Sequence, residues 1–262
     1  MRSIFKRFNV TLPVIVLSLF CAATVGAQGQ ARDPRVISAR AGGVNFVSGE
    51  ARVKLRDRSH WQTLTTKDTL KTGDTVETGA GSQLEVLLNP GSYLRLGENT
   101  EFTLTSDSLS QVHLSLTRGS GLIEATGFTE LRVSILVDTP QTRIEIVRSG
   151  IYRINVQSAK LTEVAVHKGR ALVGKEQVLI KGGRTALVTG GGVEIAKLDK
   201  KERDELDLWS RERASMLAKA NGKLSTRSVN MVLASFSADD YWRRTGYGFS
   251  AGFWYFDTRS GC

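Results

Sequence analysis

The chain has 262 residues, of which 40% are hydrophobic and 24% charged, enough apolar material for a core and too much charge for a polytopic membrane protein. Three histidines and two cysteines, none of them at metal-ligand spacing, exclude a zinc site built from those residues, and no metal or cofactor is expected. Formal charge is +10, but removing Arg2, Lys6 and Arg7 with the leader described next takes 36 basic residues down to 33 against 26 acidic.

Arg2, Lys6 and Arg7 precede an uncharged apolar run from Leu12 to Val25, and Val25-Gly26-Ala27 then supplies the small residues a signal peptidase reads. Residues 1–27 are expected to be a secretory signal peptide, placing the protein in the periplasm or outside the cell. An uncleaved leader would instead anchor it in the inner membrane. Cys21 follows Phe20, not the small residue a lipoprotein signal needs, and leaves with the leader. Cys262 is then the lone thiol, so no intramolecular disulfide is expected; the oligomeric state stays open.

From Ile37 to about Ile195, within an expected domain of residues 28–196, apolar residues recur at alternate positions, as in Leu84-Val86-Leu88, Val112-Leu114-Leu116, Val133-Ile135-Val137 and Val164-Val166. Period two over short runs means half-buried strands. Turn formers punctuate them: Gly73-Asp74, Gly79-Ala80-Gly81, Asn89-Pro90-Gly91-Ser92, Gly97-Glu98-Asn99, Arg118-Gly119-Ser120-Gly121, Lys168-Gly169 and Lys181-Gly182-Gly183. The expectation is an all-β domain of many short antiparallel strands. Asn89-Pro90-Gly91-Ser92 fits a type II turn joining the Leu84 strand to the Leu94 strand, because proline presets the second position and glycine accepts the positive φ of the third.

After Gly190-Gly191-Gly192 the composition turns charged. Asp199 and Glu202 have capping-box spacing and predict an amphipathic helix within residues 197–222, running from Lys200 to about Ala220. Leu206, Trp209, Arg213, Met216, Leu217 and Ala220 form a stripe expected to pack on the β domain. Residues 223–262 are a separate aromatic-rich segment, with nine of the chain's 19 aromatics lying between Phe236 and Phe256. Such a density suits either closure of the β domain or a partner surface.

The run from Leu70 through Gly73-Asp74, Val76, Thr78-Gly79, Gly81, Leu84, Val86, Gly91-Ser92, Leu94 and Leu96 to Asn99-Thr100 resembles the FecR domain, whose core reads Gly-Asp-x-Val-x-Thr-Gly-x-x-Gly. The likeness continues through Leu116 to Gly119, Glu124-Ala125, Val137 to Pro140 and Thr162 to Gly169, over roughly residues 41–190. It implies a periplasmic β-rich sensing or interaction module, which in the best-known members is joined by one membrane helix to a cytoplasmic anti-sigma segment. Only about nine residues precede the apolar run here, so direct sigma-factor binding is not expected. A second departure is Arg148-Ser149-Gly150-Ile151-Tyr152, where the family usually has Gly-Thr or Gly-Gly before its aromatic strand. Gly73, Asp74, Thr78, Gly79, Gly81 and Gly91 are read as structural turn builders, the glycines supplying positive φ and the polar side chains capping freed backbone.

Gly248-Phe249-Ser250-Ala251-Gly252 matches the hydrolase elbow in letters, yet no helix pattern or histidine follows it. Glu98 with Glu101 and Asp239 with Asp240 read as solvated acids. The basic surplus is spread evenly, 11 against 9 acids over residues 198–262, so nucleic acid is not an expected partner. The leading expectation is therefore a non-enzymatic envelope module that senses or binds another protein through strand edges and the aromatic segment. The alternative is a carbohydrate or peptidoglycan binder. For either, the candidate contacts are Tyr241, Trp242, Arg243, Arg244, Tyr247, Trp254 and Tyr255, with rings stacking on a partner or sugar and the arginines meeting acidic groups.

Overall fold

The structure is a computed structural model, and it describes residues 30–31, 41–89, 92–108, 111–126, 134–199, 201 and 203–221. The alternating runs form seventeen strands: β1 (Gln30–Ala31), β2 (Val44–Ser48), β3 (Ala51–Lys54), β4 (Trp61–Thr63), β5 (Thr75–Thr78), β6 (Gln83–Asn89), β7 (Ser92–Leu96), β8 (Glu101–Ser108) and β9 (Gln111–Ala125). They continue with β10 (Ile135–Asp138), β11 (Arg143–Ile146), β12 (Gly150–Ser158), β13 (Leu161–Lys168), β14 (Arg170–Val173), β15 (Val178–Lys181), β16 (Arg184–Thr189) and β17 (Gly192–Lys197), before one helix, α1 (Glu205–Asn221). Among the described residues the fold is all-β with a single helix.

The strands make two facing layers. One runs in the order β1-β2-β6-β7-β9-β12-β13-β16-β17. The other runs β4-β3-β5-β8-β9-β10-β11-β14-β15, and within it only β9 and β10 pair in parallel. Between the layers lies the main core, with Leu84, Val86, Leu94, Ile123, Ile154 and Val164 from the first meeting Phe102, Leu104, Leu114, Val137, Ile144 and Val173 from the second. Burying one face of each short strand against the other layer is what makes pairs this small stable.

Strand β9 belongs to both layers. Its first half pairs with β8 and its second with β7 and β12, so Arg118-Gly119-Ser120-Gly121 is a corner inside a continuous strand and not the strand-reversing turn expected from its glycines. Gly119 sits at φ +81, and a Cβ there would lie 2.4 Å from Thr100 Oγ1 and 2.6 Å from Thr100 Cα. Thr100 Oγ1 in turn accepts the Ser120 amide at 2.9 Å. Lys168-Gly169 makes a second corner between β13 and β14, with Gly169 at φ +104 against the Tyr152 hydroxyl. That hydroxyl accepts the Arg170 amide at 2.8 Å and donates to the Arg148 carbonyl, and burial pushes its pKa up to about 12. The phenol of the Arg148–Tyr152 stretch thus locks the bend.

At the Asn89–Ser92 connection, Asn89 lies opposite Ser92 and joins β6 to β7 as expected, while Pro90 and Gly91 lie outside the described residues.

Helix α1 departs from expectation at its start. It begins at Glu205, not Lys200, because Asp204 supplies the cap: its Oδ1 accepts the Asp207 amide at 3.0 Å. Asp199 instead accepts the Lys201 amide in a local turn, after β17 has run on to Lys197. Of the predicted stripe, Leu206, Trp209, Arg213 and Leu217 are buried, but Met216 is 49% exposed. Ser210 and Ala214 take inward positions instead.

Candidate functional site

Because β-strand side chains alternate, the residues of β6, β7, β9 and β12 that do not face the core face outward. There the sequence carries Glu85, Tyr93, Arg95, Leu122, Glu124, Ile151 and Arg153, a pattern that reads as a solvated surface. Helix α1 covers it. Leu206 and Trp209 pack on Leu122, Phe46 and Ile151, with the Phe46 and Trp209 rings 5.5 Å apart.

Cross-strand register brings the charges together. Glu85 lies opposite Arg95, and Tyr93 opposite Glu124. Arg95 is fully buried; its Nε donates to Glu85 Oε2 at 2.7 Å, and its Nη1 donates to Glu124 Oε2 at 2.6 Å and to Ser210 Oγ of the helix at 2.9 Å. From the helix, Arg213 Nη2 reaches Glu85 Oε1 at 2.7 Å, while its guanidinium lies 4.8 Å over the Phe46 ring. Asn45 also donates to Glu85. The cluster holds two acids and two bases and is neutral, which is the condition under which buried charge is tolerated. Burial pushes the Glu85 carboxyl up, but Arg95 and Arg213 together hold it below the usual carboxylate range. Burial beside these carboxylates raises the Tyr93 phenol far above its ordinary value.

At the helix start, Arg153 forms a bidentate pair with Asp204 at 2.9 and 2.6 Å. The hydrogen bond from Arg153 lowers the Asp204 carboxyl. One residue thus caps the helix and ties it to β12. Arg213 was visible in the sequence as a stripe position, but its partner Glu85, and Arg95 beneath Ser210, were not, since outward positions look alike whether water or a helix covers them.

Between α1 and the sheet lies a cleft of about 450 Å³. Leu122 and Ile151 give it an apolar floor, with Ala214 on the helix side, and Glu124 lines it; Arg203, Arg211 and His167 also stand along it. Glu124 is 2% exposed, and its Oε1 has no hydrogen-bond partner among the described residues. Burial lowers the His167 pKa; Asp207 opposes that shift, and the positive fields of Arg153, Arg203 and Arg211 add to it.

Thr78, Gly79 and Gly81 sit where the chain passes from one layer to the other, while Gly73 and Asp74 turn it into β5 within one layer. Gly73 has φ +95, and Asp74 accepts the Arg56 and Lys71 amides at 3.0 and 2.8 Å. Thr78 Oγ1 donates to the Gly97 carbonyl at 2.6 Å and accepts the Thr100 amide at 3.0 Å. Gly81 has φ +62, with its amide on Glu98 at 2.7 Å. Gly79 differs from expectation: its φ is not positive, and it serves by closeness, its amide bonding the Glu50 carbonyl at 2.8 Å. Tyr241, Trp242, Arg243, Arg244, Tyr247, Trp254 and Tyr255 lie outside the described residues, as do Gly91 and the leader 1–27. Among the described residues, no helix is long and apolar enough to cross a membrane, and no group of three or more metal-ligating side chains gathers.

Comparison with known proteins gives a family match. The model of the family described as FecR protein matches residues 74–172, from the Asp74 turn into β14, so the resemblance read in the sequence holds over that stretch. No curated protein matches the chain. Among solved structures, two crystal structures of a candidate anti-sigma factor from Parabacteroides distasonis, at 2.50 and 1.65 Å resolution, are similar at 16% identity and a TM-score of 0.41. Each match covers 48% of this chain and 61% of the other, so the likeness spans about three-fifths of that protein's length.

Proposed function

We propose that this protein is a non-enzymatic FecR-domain module of the cell envelope that works in sensing by binding a partner protein at the free edge of its helix-side layer. The FecR match over residues 74–172 supports a signalling role. The observation that carries the binding mode is β17. It is six residues long and pairs with β16, and no other strand pairs with it among the described residues. Ile195 on it is 44% exposed. Among the described residues it is the longest of the four sheet edges: β1, β4 and β15 have two, three and four residues. Strand β4 is further guarded by Arg52 and Lys54, whose cationic groups lie 5.9 and 5.3 Å over the Trp61 ring. An unpaired edge of this length offers backbone donors and acceptors to an incoming strand. Export by the leader would bring that edge to the periplasm, and an uncleaved leader would hold it at the inner membrane.

The test places a photo-cross-linking residue at Ile195, and for comparison at Glu176 in the β14–β15 turn, in the tagged protein expressed in its own host. Fractionation and sequencing of the mature N-terminus accompany it. The expected result is one discrete envelope-protein adduct from position 195, absent from 176 and lost when Lys197, whose amide points away from β16, is changed to proline. Equal labelling from both positions, or an adduct indifferent to proline, would overturn the edge-binding reading.

A further inference from the structure

We propose that the cleft between α1 and the helix-side layer is a binding site for a small apolar carboxylate that carries a neutral hydrogen-bond donor. The site is separate from β17, so it stands or falls apart from the edge-binding reading.

Its volume of about 450 Å³ lies within the ~300–1,000 Å³ typical of small-molecule sites. Leu122 and Ile151 on the strands and Ala214 on the helix supply apolar contact for the body of a ligand. Arg203 and Arg211 are exposed, line the same cleft, and have no ion-pair partner among the described residues. Both act electrostatically on His167, lowering its pKa, so the positive charge along this cleft is that of the two arginines. Asp207 is the acid among them, and Arg153 already faces it at 3.4 Å. An anionic group is what this rim would recognise.

The buried wall calls for the opposite polarity. Glu124 Oε2 is occupied by Arg95, whereas Oε1 is buried with no donor among the described residues. A buried acceptor left without a donor is costly, so a ligand able to supply one gains there. That donor should be neutral. The Glu85, Arg95, Glu124 and Arg213 cluster is already balanced, and an ammonium would add an unpaired positive charge beside Arg95. A hydroxyl or amide N–H meets the requirement without one.

The probe set separates these elements: 3-(4-hydroxyphenyl)propionate has the carboxylate, the apolar body and the hydroxyl, 3-phenylpropionate lacks the hydroxyl, and 4-ethylphenol lacks the carboxylate. Binding to the purified full chain is measured by calorimetry and by saturation-transfer NMR. Saturable binding of the first compound is expected, about tenfold weaker for each of the other two, as loss of one polar contact would give. Arg203→Ala with Arg211→Ala should reduce the first compound to the affinity of 4-ethylphenol. Ser215→Trp, at an exposed position lining the cleft, should abolish binding while leaving the far-UV spectrum unchanged. Equal affinity for all three compounds, no saturation at millimolar concentration, or binding that survives Ser215→Trp would overturn the proposal. Glu124→Gln is avoided as the primary variant because it also breaks the pair with Arg95.

Discussion

Replacing Arg213 with methionine keeps a flexible side chain of similar length on α1 and removes the only charge by which the helix meets Glu85. The lost contact is the 2.7 Å bond from Nη2 to a carboxylate that is 0% exposed. Breaking a buried ion pair from one side costs about 3–5 kcal/mol, because the remaining charge keeps its desolvation penalty. Glu85 would retain Arg95 at 2.7 Å and Asn45, which places the electrostatic loss near the lower end, about 3 kcal/mol. Loss of the guanidinium over Phe46, 4.8 Å from the ring centre, adds up to about 1 kcal/mol. The cluster would pass from neutral to one net negative charge, and Glu85→Gln in the same chain would restore neutrality. The double variant should therefore be more stable than the sum of the single variants predicts, by about 1.5–3 kcal/mol. Urea unfolding followed by far-UV circular dichroism measures all four corners of the cycle, and hydrogen exchange reports whether α1 loosens before the sheet. A loss below about 1 kcal/mol for Arg213→Met, or strict additivity of the two changes, would refute the claim that this charge holds the helix to the sheet.

The two glycine environments separate backbone strain from collision. Gly183 has φ +80 with open space around a Cβ, so Gly183→Ala should cost about 1–2 kcal/mol, whereas Gly119→Ala should cost about 3 kcal/mol or more because the methyl meets Thr100; thermal unfolding compares them. Asp204→Ala should lower stability by about 2–4 kcal/mol, about 1 from the lost cap and the rest from the bidentate pair lost by the buried Arg153, which keeps Asp207 at 3.4 Å, and should speed exchange of the amides of the first helical turn. His167 has a folded pKa below its ordinary 6.5, so its contribution is fully present above that pH and is lost as pH falls from 6.5 through the folded value. Stability measured from pH 7.5 to 5.5 should therefore fall less steeply in His167→Gln than in the parent. Acid lowers stability through Glu85 and Asp204 as well: both carboxyls are depressed in the folded state, so their contribution is present above about pH 4.5 and lost as pH falls further. Glu85→Gln should flatten that lower part of the profile.

The strands, their punctuation and the FecR resemblance were legible in the sequence because each depends on neighbours within a few residues. Alternation of Leu84, Val86 and Leu88 marks one face for burial whatever the rest of the chain does, and Gly73-Asp74 carries its own cap. What local pattern could not separate was a reversal from a corner. A glycine at positive φ serves both, and whether the chain turns back at Gly119 or passes into the second layer depends on which strands wait there, β8 on one side and β7 and β12 on the other. Nor could the helix start be placed from spacing alone, since Asp199 and Asp204 both suit a cap and Arg153, fifty-one residues away, selects the second.

The same limit governs the candidate site. Glu85, Arg95, Glu124 and Arg153 occupy alternate outward positions, and in isolation each is an ordinary surface charge. The sequence by itself determined that these residues leave the main core and that α1 has an apolar stripe. Only the tertiary structure decided that the stripe lies over those charges, because pairing Arg213 with Glu85 and Ser210 with Arg95 joins residues more than a hundred positions apart, and burial of a charge is a property of what covers it.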